Sequence, residues 1–232
     1  MAPGRFAACL LLLLSAAFAF TTAYPGLFFG VSHESGTLVF RMHDGQEVDG
    51  PALERAASTV GSGYFSDPER SLEVYVTGGR AEYLLLAPFC AGVPACMHPI
   101  SGKVFTAPAD MVSDAAEGPG TFPGPLERTI IRELVRAGLR NKLGLTRYIL
   151  LPEWKKNGYA EHIARETADM PASDICDTDE DEDTPLFGLL EDRLMVEMLA
   201  EDDKEPYPLI MEEDHSYDAL RSRLMKKHCP AP

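Results

Sequence analysis

The chain is predicted to fold as an α+β domain. Alternating and β-branched apolar stretches dominate residues 27–106, whereas apolar residues at helical spacing dominate residues 126–227. With 232 residues there is length enough to bury one sizeable core and still carry appendages. Four parts are expected: residues 1–23 as a signal peptide or membrane anchor, 24–170 as the α+β core, 171–187 as an acidic loop, and 188–232 as a helical segment packed on the core.

Residues 27–33 and 36–42 are rich in Val, Leu and Phe and are separated by Glu34, Ser35 and Gly36, so they read as a hairpin. Asp49 then precedes Pro51 and a run of strong helix formers, which predicts an N-capped helix ending near Gly61. Residues 72–76 alternate as a half-buried strand does, and residues 83–86 and 103–106 are weaker strand candidates. Three prolines and three glycines in residues 115–125 predict an exposed loop.

The second half is helical. Leu126, Ile130, Ile131, Leu134, Val135 and Leu139 recur at helical spacing over residues 126–143, with Gly144 as the stop. Pro152 opens a helix over residues 153–165, anchored by Trp154, Tyr159 and Ile163. Two further helical patterns occupy residues 189–200 and 217–227.

Formal net charge is −15, and residues 174–214 account for all of it, with 17 acidic against 2 basic side chains. Such a surface opposes phosphate contacts, so a nucleic-acid partner is excluded. The run at residues 177–183 repels itself and reads as a solvated loop; it lacks the glycine turn and distal glutamate of an EF-hand calcium loop.

Arg5 followed by the apolar stretch 6–20 and small residues behind it is a secretory signal pattern. An uncleaved anchor is the rival, since residues 6–23 approach the length that spans a bilayer. Either reading places the remainder outside the cytosol, secreted or tethered, with membrane contact only through that N-terminal segment. Cys90, Cys96, Cys176 and Cys229 form an even set suited to an oxidising compartment. Three pairings are open, and Cys90 with Cys96 is the most economical because residues 91–95 can turn. Such a short loop contributes about 2 kcal/mol in the chain-entropy model.

Catalytic signals are sparse. No GxSxG elbow is present. His98 and His162 have no histidine partner at i+4 spacing, and Cys90, Cys96 and His98 lack the fourth ligand of a structural zinc site. The most informative stretch is Arg132-Glu133-Leu134-Val135-Arg136, followed by Trp154-Lys155-Lys156-Asn157-Gly158-Tyr159-Ala160-Glu161. Together these phrases resemble the gluzincin-like metallopeptidases, in which HExxH on one helix is followed by a second helix that carries a glutamate ligand.

The resemblance implies a zincin-like fold in which Arg132 and Arg136 stand at the two histidine positions and Asn157 at the third ligand. Only Glu133, the general base, would survive. A guanidinium offers no lone pair and repels a cation, so no metal and no cofactor are expected. Without zinc to lower the pKa of bound water, Glu133 has little to activate. Glu161 is expected to partner an arginine across the former cleft. The resemblance therefore implies a catalytically inactive protein with a binding or regulatory role, its partner an unknown protein or an anionic group. The alternatives are an active metallopeptidase with atypical ligands, or an unrelated secreted α+β binding protein.

Arg128, Arg132, Arg136 and Arg140 also recur every four residues, forming a ridge along one side of a helix. It reads either as a solvated face paired with Glu127 and Glu133, or as an anion-binding ridge, which could receive the chain's own acidic run.

Overall fold

The computed structural model of the chain describes residues 20, 24–46, 49–110, 115–116, 126–176 and 185–229. Apart from Phe20, the N-terminal apolar segment lies outside these residues, as does the acidic run 177–183. The fold is α+β, with a five-stranded sheet and eight α-helices among the described residues.

After a 3-10 turn at Pro25–Phe28, strands β1 (Val31–Ser35) and β2 (Leu38–Met42) form the expected hairpin. Leu27 belongs to the turn rather than to a strand. Helix α1 (Gly50–Gly61) follows, with Asp49 at its N-cap position but making no side-chain cap bond. Strand β3 (Leu72–Val76) then pairs parallel to β2.

Residues 83–86 are helical, not extended. They belong to helix α2 (Arg80–Leu86), which places Glu82 in its first turn and buries Tyr83 and Leu86 three apart on one face. A short apolar run cannot by itself distinguish a buried strand from a buried helix, and the good helix formers Ala81, Glu82 and Leu84 settle it. Strand β4 (Ala95–Met97), which the sequence reading left out, pairs antiparallel to β5 (Val104–Thr106). The sheet order is β1-β2-β3-β5-β4, with β3 and β5 parallel. Of residues 115–125, expected as loop, Ala115–Ala116 (β7) pairs with Ala109–Asp110 (β6), while 117–125 lie outside the described residues.

Strand alternation sends Leu38, Phe40, Met42, Leu72, Val74 and Val76 to one face of the sheet, where they pack on α1 and on helix α3 (Leu126–Leu143). Tyr75 and Phe105 face the other way and meet Phe29, Tyr83 and Leu86. Gly144, at φ +79°, ends α3, and the short helix α4 (Leu145–Leu150) leads to α5 (Glu153–Ala164).

Helix α5 is buried nearly all round, from Trp154 and Lys155 to Ala164, because α3 packs on one side of it and α6 (Pro185–Glu197) on the other. The α5–α6 approach needs Gly158: a Cβ there would collide with the carbonyl oxygen of Asp192. Helix α6 continues into a π-helical turn (Met198–Asp202), then come α7 (Tyr207–Glu212) and α8 (Tyr217–His228). A separate apolar core, including Trp154, Leu190, Met195, Ile210 and Leu224, holds this C-terminal part together.

Two disulfides are present. Cys90 pairs with Cys96, Cα atoms 5.9 Å apart, and Cys176 pairs with Cys229, Cα atoms 5.6 Å apart. Among the described residues no helix is long and apolar enough to cross a membrane.

Candidate functional site

The residues singled out in the sequence meet where α3, α5 and strand β4 come together. Residues 132, 133 and 136 occupy adjacent turns of α3, and residue 157 lies one turn into α5 on the face toward it. Arg136 Nη1 donates to Asn157 Oδ1 at 3.1 Å. The same guanidinium donates from Nε to the Tyr148 hydroxyl at 3.2 Å and from Nη2 to Glu153 at 3.1 Å. Burial works to lower the pKa of Arg136, but Glu133, Tyr148 and Glu153 outweigh it and hold the group charged above its ordinary range.

Arg132 turns away from Asn157. Its Nη1 donates to Glu166 Oε2 at 2.6 Å and its Nε to Glu133 Oε1 at 3.3 Å, with the side chain 7% exposed. Glu166 also accepts from the Thr129 hydroxyl at 2.9 Å. Its pKa is raised, chiefly by burial, against the opposing effects of Arg132 and Thr129.

Glu133 is fully engaged. Oε2 accepts the backbone amide of Met97 on β4 at 3.0 Å, and Oε1 faces both Arg132 and, at 3.9 Å, Arg136. The carboxylate is 5% exposed, so both its oxygens are turned into the protein rather than toward solvent.

Glu161 departs from expectation. Its Oε1 accepts from the amide and hydroxyl of Thr167, at 2.6 and 2.8 Å, while its buried Oε2 has no hydrogen-bond partner. Arg132 and Arg193 act on it through space only, and burial raises its pKa. The reason is positional: Glu161 lies one turn beyond Asn157, over the 165–167 turn that closes the end of α5.

Asn157 makes a second contact, donating from Nδ2 to Asp192 Oδ2 on α6 at 3.2 Å. Burial pushes the Asp192 carboxyl up to about 7, with Glu191 and Glu153 adding to the effect and Asn157 opposing it. Arg136, Asn157 and Asp192 thus form a hydrogen-bonded file across three helices.

The arginine ridge is neither a free face nor an open cradle. Arg128 donates to the carbonyl of Arg165 at 2.9 Å and reaches Asp169 at 3.4 Å, and Arg140 donates to the carbonyls of Pro99 and Ile100 and to Asn141. With Arg132 and Arg136 held as above, all four guanidinia point to acceptors of the fold itself. The acidic run that the ridge could have received lies outside the described residues.

The two histidines considered as ligands have structural partners. His98 Nδ1 accepts the amides of Ile100 and Ser101 at 3.2 Å each, and burial lowers its pKa. His162 bridges Glu197 at 3.0 Å and the Tyr207 hydroxyl at 2.8 Å.

Sequence reasoning missed Glu166, Glu153, Tyr148 and Asp192, which complete this network from outside the two motif phrases. It also missed a second cluster, Glu205, Glu213 and His215, whose ligand-capable atoms all lie within 4.8 Å of one another. The sequence signal for it was present: His215 follows directly on Glu212, Glu213 and Asp214.

No family model, no curated protein and no solved structure matches the chain.

Proposed function

We propose that the chain is a catalytically inactive, zincin-like protein with a binding or regulatory role, exported from the cytosol and either secreted or tethered by its N-terminus. One observation carries the reading: at the three positions that would hold zinc, Arg132 and Arg136 supply fixed cations, and Arg136 reaches the amide of Asn157 across the helix pair. Their charge is neutralised by Glu133, Glu166 and Glu153, so side chains do the crosslinking that a metal would do.

The two disulfides support an oxidising destination. The sheet-rich first half and the helices that follow suit the resemblance, and Glu133 is buried against Arg132 and the β4 backbone, away from solvent. Since the four arginines of α3 are engaged internally, the binding role is not assigned to them; the partner is a protein that meets some other surface.

The test is a peptide-hydrolysis assay with a mixed peptide library, with and without added Zn²⁺. The reading expects no turnover. Turnover that needs Zn²⁺ and disappears in Glu133→Ala would replace it with an active peptidase using atypical ligands.

A further inference from the structure

We infer that Glu205, Glu213 and His215 form a binding site for one divalent transition-metal ion of the zinc class, made of residues outside the α3–α5 network and independent of the reading above. Glu205 leaves the π-helical turn, while Glu213 and His215 lie in the connection between α7 and α8. Two carboxylates and an imidazole are a known donor set for such an ion.

Four observations carry the inference. The ligand-capable atoms of all three residues lie within 4.8 Å of one another. His215 Nε2 and Glu205 Oε2 are 3.1 Å apart, close to the ~3.4 Å that separates two ligands of a tetrahedral ion with bonds of about 2.1 Å. His215 Nδ1 faces the carbonyl oxygen of Glu213 at 3.3 Å, and a carbonyl only accepts, so Nδ1 carries the hydrogen. In the neutral ring this turns the Nε2 lone pair toward Glu205. The cation between Nε2 and Glu205 Oε2 is then either a second ring proton or a metal ion, and backbone carbonyls commonly orient ligating histidines in this way. Finally, Glu205 Oε1 is buried beside this pair with no hydrogen-bond partner, a cost that a shared cation removes.

Charge points the same way. Three carboxylates, Glu205, Glu213 and Asp214, gather near the ammonium of buried Lys155, which donates to the Glu213 carbonyl. A divalent ion brings the set to neutrality. Glu213 is exposed and free to swing onto the ion, which would pin the α7–α8 connection beside the start of α5.

The test is calorimetric titration of the metal-stripped full chain with Zn²⁺, repeated with Co²⁺ to read ligand-field absorption. The expected result is one equivalent per chain, with a visible Co²⁺ spectrum of a four- or five-coordinate site. His215→Ala should abolish binding and Glu213→Gln, at an exposed position, should weaken it by about tenfold or more. Glu212→Gln, a neighbouring exposed acid, should leave affinity unchanged. No saturable binding at 100-fold excess over chain would overturn the inference and leave a proton as the cation between His215 and Glu205. Binding that survives both His215→Ala and Glu213→Gln would overturn it equally, as diffuse attraction to an acidic surface.

Discussion

Arg132 Nη1 and Glu166 Oε2 stand 2.6 Å apart, with Arg132 7% exposed and Glu166 wholly shielded. This contact ties the middle of α3 to the turn after α5. It also fixes the orientation in which Glu133 can accept from both Arg132 and the β4 backbone.

Removing the cation from that contact should be costly. Arg132→Ala leaves Glu166 buried without its charge partner and Glu133 with only Arg136 at 3.9 Å, and losing one member of a buried pair typically costs about 3–5 kcal/mol. Urea unfolding should show a loss of unfolding free energy of that size at neutral pH. A loss under about 1 kcal/mol, the range of an exposed pair, would mean that the two acids do not depend on Arg132 as their charge partner.

Gly158→Ala tests the α5–α6 contact. The added methyl meets the Asp192 carbonyl, which is backbone and cannot rotate away, so the helices must part. Overpacking of this kind costs about 3 kcal/mol. Thermal unfolding measures it, and an unchanged midpoint would show that the two helices sit further apart than described.

Asp192 gives a pH signature. In the unfolded chain an aspartate titrates near 3.9, whereas burial pushes Asp192 up to about 7, so between these values the folded chain holds a proton that the unfolded chain has released. Stability from this group is fully present below about pH 4 and is lost as pH rises through about 7. Glu161 and Glu166, also raised by burial, act with the same sign. Urea midpoints across this range should therefore fall less steeply in Asp192→Asn than in the parent chain. Identical slopes would remove Asp192 from the account.

The Cys176–Cys229 bridge closes a loop with a sequence separation of 53, for which the chain-entropy model gives about 4 kcal/mol. Cys176→Ser/Cys229→Ser should lose roughly that much stability and loosen the C-terminal core first. Hydrogen exchange will show it as early exchange in α8, and uniform exchange across all helices would contradict the separate packing of this part.

Much of the helical half was legible because its signals are long. Over residues 126–143 the apolar spacing persists for five turns, and Pro152 and Gly144 punctuate the helices on either side of the gap. Short elements were not legible. β4 is three residues centred on Cys96, beginning where the sequence suggested only a turn, and α2 is seven residues whose apolar content fits a strand equally well.

The site was legible only in part, for a related reason. Arg132, Arg136 and Asn157 are spaced by helix geometry and could be placed on facing helices from their positions. Glu166 enters from a turn beyond a helix end, and Asp192 from an element 35 residues past Asn157. Neither distance carries a periodic signal, and only packing brings those acids to the arginines.

The central claim is that side-chain cations take the place of a metal between α3 and α5 and leave the chain without peptidase chemistry. The most direct measurement is hydrolysis of a peptide library by the His215→Ala chain with added Zn²⁺, a background that removes the proposed second site, alongside Glu133→Ala in the same background. The account predicts no turnover in either. Zinc-dependent cleavage by the first that vanishes in the second would contradict it.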